Sequence, residues 1–139
     1  MVIYLDSAAL VKLAHAEAES QALQTWLAER AGMTRVTSAL AEVEVPRAIA
    51  RYAPASQANV PVILGTVATL EINRAVRTIA ASYRDRLLRS LDAIHLATAQ
   101  VLVAETGEPL EAFVTYDKRL LAAAAALGFE GASPGGSAG

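Results

Sequence analysis

Three of the four aspartates in this chain lie in apolar sequence, where a carboxylate is costly to bury. Asp6 ends the segment VIYLD, Asp92 lies within LDAIHLA, and Asp117 ends FVTYD. A buried carboxylate is normally matched by a cation, a metal ion or a proton. Carboxylates that converge at the end of a buried sheet would suit a hard cation such as Mg²⁺ or Mn²⁺. The pattern therefore favours metal-assisted hydrolysis of a phosphodiester.

Hydrophobic periodicity predicts strands that alternate with helices, which is typical of an α/β protein whose parallel sheet is covered on both faces. The predicted strands are 2–5, 35–37, 70–72 and 112–115. The predicted helices begin at Ser7, Ser20, Ser38, near Pro61, after Ile72, at Leu91 behind a Ser90 cap, and at Asp117. Pro46 falls inside the third of these helices and deletes one backbone hydrogen bond, so it predicts a kink or a later helix start.

The chain is long enough for one domain with a sizeable core, at 139 residues. We expect this domain to cover residues 1–130. The remaining residues, 131–139, contain only Gly, Ala, Ser and Pro. That composition is typical of a disordered tail.

The map places the three aspartates near one another. Asp6 and Asp117 each follow a predicted strand, and Asp92 lies in the first turn of a helix. In an open parallel sheet, ligands bind at the carboxyl edge, where strand ends and helix N-termini meet. Each aspartate also has a structural alternative, because aspartate is a favoured helix cap and suits the helix dipole. Three independent caps, however, need not share one edge of one sheet.

Glu44 is the candidate for a fourth acid at this edge. Glu42 lies two residues earlier, and either glutamate could be the one that faces solvent. Arg47 lies three residues after Glu44 on the same predicted helix, where it could orient a carboxylate or receive a phosphate.

Composition and charge exclude several classes of protein. The chain has no cysteine, which excludes disulfides and thiolate zinc sites and fits a reducing cytoplasm. The N-terminal segment MVIYLD lacks the basic region of a signal peptide, and no apolar run approaches the roughly 18 residues of a membrane span. The net charge of −2 does not predict nonspecific binding to nucleic acid.

The arginines are nevertheless distributed unevenly. Five of them fall in one short stretch, at positions 74, 77, 84, 86 and 89. Such a run predicts either a solvated helix face or a phosphate-binding rim beside an acidic pocket.

Four short motifs resemble those of PIN-domain ribonucleases, particularly the VapC-type toxins of bacterial toxin–antitoxin modules. They are YLDSAALVKL at 4–13, TSALAEVEVPRA at 37–48, LDAIHLATA at 91–99 and VTYDKRL at 114–120. Each motif alone is weakly specific, but the four occur in the family's order and span nearly the whole chain. In the second motif, the family's glutamate falls on Glu44 and its arginine on Arg47.

The resemblance implies a three-layer α/β/α fold and an endoribonuclease that depends on Mg²⁺ or Mn²⁺. Asp6, Glu44, Asp92 and Asp117 would be both the metal ligands and the catalytic acids, with water activated by the metal attacking an RNA phosphodiester. It also implies a small antitoxin partner of a type II module and a homodimer. We further expect apolar side chains near the N-terminus, including Leu13, Trp26 and Leu27, to remain exposed for a partner helix.

Other roles remain open for single residues and for the whole chain. Thr115 or Ser7 could hydrogen-bond a carboxylate or the substrate. His95 could act as a general base, or be a packed, hydrogen-bonded structural residue. The acids could also belong to another Mg²⁺-dependent phosphoryl-transfer enzyme, or merely cap the helices of a protein-binding module without catalytic activity.

Overall fold

The computed structural model describes residues 1–136. Within them, the strands are β1 (Val2–Leu5), β2 (Thr34–Ser38), β3 (Ala68–Leu70), β4 (Leu110–Val114) and β5 (Gly131–Ala132). The helices are α1 (Ser7–Ala14), α2 (Ser20–Ala28), α3 (Ala41–Tyr52), α4 (Asn59–Leu64), α5 (Arg74–Ser82), α6 (Ser90–Thr106) and α7 (Lys118–Ala126). A 3-10 turn, Pro54–Ser56, separates α3 from α4.

The five strands form one parallel sheet in the order β3-β2-β1-β4-β5, with β1 at its centre. Side chains alternate between the two faces of a strand, so β1 contributes to two cores. Ile3 and Leu5 pack with α1 to α4 on one face, whereas Tyr4 packs with α6 and α7 on the other. Helix α5 packs outside α6. This three-layer α/β/α arrangement confirms the predicted fold class.

The register of the central strands brings two candidate site segments together. Leu5, the last residue of β1, pairs with Val114, the last residue of β4. The next backbone N–H, that of Asp6, donates to the carbonyl of Val114 at 3.2 Å. The residues that follow β1 and β4 therefore emerge side by side at the carboxyl edge of the sheet.

Helix α3 differs from the prediction in its start but retains its proline. It begins at Ala41, three residues after Ser38, and Pro46 lies in its interior. The missing N–H of Pro46 would have bonded the carbonyl of Glu42. Glu42 is exposed, so water can satisfy that carbonyl. The other helix starts are close to expectation, although Asp6 rather than Ser7 caps α1.

The predicted disorder after residue 130 is wrong for the part of the tail that the structure describes. Gly131–Ala132 forms the edge strand β5 beside β4. The N–H groups of Phe113 and Thr115 donate to the carbonyls of Glu130 and Ala132 at 2.8 and 3.1 Å. A Cβ at Gly131 would collide with the side chain of Leu121, so glycine permits this close approach. Residues 137–139 lie outside the described part of the chain.

The long helix α6 ends at a glycine in the left-handed region. Gly107 has φ 70°, and its N–H donates to the carbonyl of Val103 at 2.9 Å. This is the usual conformation of a residue that ends a helix and turns the chain away. None of the helices in residues 1–136 is long and apolar enough to cross a membrane.

We predict that Gly107→Ala lowers the free energy of unfolding by about 1 kcal/mol, because a Cβ disfavours the left-handed backbone. No atom would obstruct that Cβ, so the backbone conformation alone is responsible. Gly32→Ala is the matched control, since Gly32 is equally unobstructed and lacks a positive φ. Chemical denaturation measures both variants. Equal stability of the two variants would contradict this interpretation of α6.

Candidate active site

Asp6 is the most deeply buried of the candidate acids, with 4% of its surface exposed. One carboxylate oxygen accepts the backbone N–H of Ala9 at 2.9 Å, which caps α1. The other oxygen accepts the hydroxyl of Thr115 at 2.5 Å. Burial raises the pKa of Asp6, although His95 and these hydrogen bonds oppose the shift. Asp6 is thus at the same time a helix cap and a carboxyl group held in a fixed orientation at the sheet edge.

Glu44, rather than Glu42, faces this edge from α3. Its Oε1 accepts the Ser7 hydroxyl at 2.6 Å and lies 2.9 Å from His95 Nε2. Burial acts to raise the pKa of Glu44, but the hydrogen bonds from His95 and Ser7 outweigh it, and the pKa lies below its usual value. Glu42 points to solvent. Of the two glutamates, Glu44 is therefore the one that faces the other candidate acids.

Asp92 lies in the first turn of α6 and is partly buried. Its carboxylate accepts no hydrogen bond from any group in residues 1–136. Its pKa is raised first by burial and then by the negative charges of Asp117 and Asp6. Of the groups that act on it, only His95 favours its charged form. Within residues 1–136, Asp92 therefore has no hydrogen-bond donor of its own, and His95 is the one group that opposes the rise of its pKa.

Asp117 caps α7 from the end of the β4 segment. Its Oδ1 accepts the N–H groups of Arg119 and Leu120 at 2.9 and 3.0 Å. The cap role considered for Asp117 is therefore real. Its charge also acts on Asp92. The same residue thus fixes the start of a helix and adds to the negative potential at the edge.

Thr115 connects two of these acids. The side chain is fully buried and donates to Asp6, while its hydroxyl oxygen accepts the N–H of Asp117 at 3.1 Å. Ser7 donates its hydroxyl to Glu44, the third acid. Arg47, in contrast, is exposed on α3 and forms no hydrogen bond or ion pair within the described residues. An arginine that orients Glu44 is therefore not seen.

Sequence reasoning missed how Tyr4 and His95 join this site. The Tyr4 hydroxyl lies 2.7 Å from His95 Nδ1, and the opposite ring nitrogen faces Glu44 and Ser7. One feature of the sequence indicated that Tyr4 has a hydrogen-bond partner, although not which residue it is. Tyr4 is the single residue with a polar tip inside an apolar strand, and a buried tyrosine hydroxyl normally has a hydrogen-bond partner.

The negative charge of this site suits a divalent cation better than the spacing of its side chains does. In the part of the chain that the structure describes, no three His, Asp or Glu side chains lie close enough to hold one ion as they stand. Negative charge on neighbouring acids nevertheless raises the pKa values of Asp6 and Asp92, and no lysine or arginine is among the groups that act on Asp6, Glu44 or Asp92. A set of carboxylates that no lysine or arginine offsets suits Mg²⁺ or Mn²⁺.

Comparison with known proteins agrees with this architecture. The PIN domain family model matches residues 3–126. Ribonuclease VapC35 of Mycobacterium tuberculosis is 48% identical over 134 residues, covering 96% of this chain and 98% of that protein. Among solved structures, VapC20 of M. tuberculosis, a sarcin-ricin loop cleaving toxin, has a TM-score of 0.70 at 17% identity and covers 95% and 99% of the two chains. A toxin-antitoxin complex from Klebsiella pneumoniae has a TM-score of 0.64 at 22% identity and covers 86% and 90%.

The two structures share the fold with this chain. The family model and the sequence identity to VapC35 extend over nearly its whole length. The chain therefore belongs to the PIN-domain family and to the VapC group within it.

Proposed function

We propose that this protein is a divalent-metal-dependent endoribonuclease that acts as the toxin of a type II toxin–antitoxin module. The observation that carries the proposal is the group of acids at the carboxyl edge of the sheet, on which no lysine or arginine acts. The 48% identity to a protein named as a ribonuclease supports RNA as the substrate. That identity also favours a nuclease over the other phosphoryl-transfer enzymes and over a binding module whose acids are only caps.

Asp6, Glu44, Asp92 and Asp117 would hold the ion, which is Mg²⁺ or Mn²⁺ in this proposal. When bound, such an ion lowers the pKa of water and neutralises charge on a reacting phosphate. The protein contributes the orientation of its ligands. Thr115 holds Asp6, and Ser7 holds Glu44, so those two carboxylates have little freedom to rotate. Asp92, without such a partner, is the acid most able to move toward a ligand.

The segment between α5 and α6 is the part of the surface best suited to the RNA backbone. Arg84, Arg86 and Arg89 are all exposed there and form no ion pair within residues 1–136. Arg89 comes only three residues before Asp92. Arginines beside an acidic site would attract phosphates and offset the repulsion between RNA and the carboxylates.

An antitoxin is the proposed protein partner. The similar Klebsiella structure is a toxin-antitoxin complex. The surface expected to receive the partner differs from the prediction. Leu27 is buried, Leu13 is partly buried, and the guanidinium of Arg30 covers the Trp26 ring at 3.9 Å from its centroid.

A more open apolar surface lies between α1 and α3. A cavity of about 440 Å³ is lined there by residues that include Val11, Ile49 and Tyr52, and Tyr52 is 73% exposed. A partner helix could bury this surface. The homodimer and the cytoplasmic location implied by the sequence stay predictions.

We predict that Asp92→Asn lowers the rate of RNA cleavage about 100-fold or more, since removing one group that stabilises transition-state charge has effects of that size. The assay is cleavage of a mixed RNA pool in Mg²⁺ or Mn²⁺, with EDTA as the metal-free control. Glu105→Gln is the matched variant, because Glu105 lies on the same helix as Asp92 but is exposed near its opposite end. Full activity of Asp92→Asn, or cleavage in EDTA, would contradict the proposal.

The exposed arginines between α5 and α6 give a separate prediction. In the Asp92→Asn background, Arg86→Gln with Arg89→Gln should weaken RNA binding and make its salt dependence shallower by about 1.4 in log–log slope, or about 0.7 for each lost phosphate contact. Arg35→Gln with Arg51→Gln removes the same charge from β2 and from the far end of α3. Fluorescence anisotropy across a salt series measures both pairs. If the two pairs weaken binding equally, the segment before α6 has no special role.

A further inference from the structure

His95 is fully engaged inside the protein, although it lies three residues after Asp92 on α6. It is 2% exposed, with Nδ1 2.7 Å from the Tyr4 hydroxyl and Nε2 2.9 Å from Glu44 Oε1. A side chain with both nitrogens occupied and almost no exposed surface cannot reach a substrate. Any influence that His95 has on catalysis must therefore pass through the residues it contacts.

Tyr4 holds the histidine in one orientation. Its ring is fully buried and stacks on Phe113 at 4.9 Å between centroids, with 4° between the ring planes. Burial also raises the pKa of the Tyr4 phenol, so the hydroxyl keeps its proton and can donate to Nδ1. When Nδ1 accepts, the proton of a neutral imidazole lies on Nε2. A doubly protonated imidazole likewise presents N–H at that position, so Nε2 donates to Glu44 in either state.

The hydrogen bonds to Glu44 are concentrated on one of its oxygens. Oε1 accepts both from His95 Nε2 and from the Ser7 hydroxyl, and His95 and Ser7 also lie 3.1 Å apart. In the described residues, Oε2 accepts no hydrogen bond. The carboxylate is therefore fixed in rotation, with one oxygen held by the protein and the other left for a further ligand.

We propose that Tyr4 and His95 are positioning residues that hold the Glu44 carboxylate ready to bind the divalent ion. This inference rests on the proposed function, because it concerns the same acidic site. It assigns a role to a residue pair that spans β1 and α6 and that joins the buried core to the site. Hydrogen-bonded partners of metal-binding carboxylates commonly act in this way.

Two amide substitutions separate positioning from simple packing. The amide nitrogen of His95→Gln is as many bonds from Cβ as Nε2 and can still donate to Glu44. The amide of His95→Asn reaches only as far as Nδ1, so it can contact Tyr4 but not Glu44. Mn²⁺ affinity by calorimetry, thermal unfolding without metal, and kcat and KM for RNA are measured for both variants and for Tyr4→Phe.

We expect His95→Asn to weaken Mn²⁺ binding by about 10- to 100-fold, as is usual for loss of such a partner. Its kcat should fall while KM for RNA stays the same, because no RNA contact is removed. His95→Gln should keep more of the affinity than His95→Asn, because it still donates to Glu44 although it loses the contact with Tyr4. Tyr4→Phe should weaken Mn²⁺ binding in the same direction as His95→Asn. In a Glu44→Gln background, adding His95→Asn should cause little further loss of Mn²⁺ affinity, because the two changes act through one group.

Wild-type Mn²⁺ affinity in both His95→Asn and Tyr4→Phe would overturn the inference. Equal losses in His95→Asn and His95→Gln would also overturn it, because packing alone would then explain them. If His95→Asn does not fold, Tyr4→Phe decides, and wild-type affinity in that variant is the contrary result. A wild type that neither binds Mn²⁺ nor cleaves RNA would instead overturn the proposed function, and this inference with it.

Discussion

The site depends on one buried interaction, the contact between the Asp6 carboxylate and the Thr115 hydroxyl. It joins the ends of β1 and β4, which are neighbours at the centre of the sheet. Burial of Asp6 is unfavourable unless its oxygens are satisfied, and the Ala9 N–H and the Thr115 hydroxyl supply those bonds. Because Thr115 also accepts the N–H of Asp117, the same hydroxyl sets the distance between two acids. The fold and the site are therefore stabilised by the same hydrogen bonds.

The structural and functional roles of the acids coincide. Asp6 and Asp117 do cap α1 and α7, as the simpler interpretation of the sequence required. Caps lie at helix N-termini, and in this topology those termini meet at the carboxyl edge. The capping bonds use some lone pairs of each carboxylate and leave others. A carboxylate can thus begin a helix and still offer an oxygen to a cation.

Much of this arrangement could be predicted from the sequence, since it follows from short-range patterns. The runs before Asp6 and Asp117 are apolar and short, so they indicate buried strands, and the position of an acid after a strand determines its edge. The choice between Glu44 and Glu42 could not be made in the same way, because it depends on the rotation of α3 against α1. The contact between Tyr4 and His95 joins residues 91 positions apart in different layers, and no local pattern encodes it.

Composition was misleading for Gly131–Ala132, which form a strand. A Gly- and Ser-rich stretch normally indicates disorder, yet Gly131 is there because a side chain would strike Leu121. Pro46 was a smaller difficulty of the same kind. It breaks one hydrogen bond of α3, but that bond belongs to the exposed side of the helix, near Glu42. In both cases the tertiary environment outweighs the local preference.

Thermal unfolding of the wild type and Asp92→Asn, with and without Mn²⁺, tests the central claim that the carboxyl edge is a divalent-metal site. The pKa of Asp92 is raised in the folded protein. Protonated Asp92 therefore contributes its full stabilisation below the usual pKa of an aspartate, and this contribution is lost as the pH rises through the raised pKa. Without metal, Asp92→Asn should therefore match the wild type near pH 3 and exceed it at pH 7.

Addition of Mn²⁺ at pH 7 should reverse that order. The wild type should gain about 2.7 kcal/mol when Mn²⁺ is present at ~100 times its dissociation constant, and Asp92→Asn should gain much less. A wild type that Mn²⁺ does not stabilise, or an equal gain in both proteins, would contradict the account.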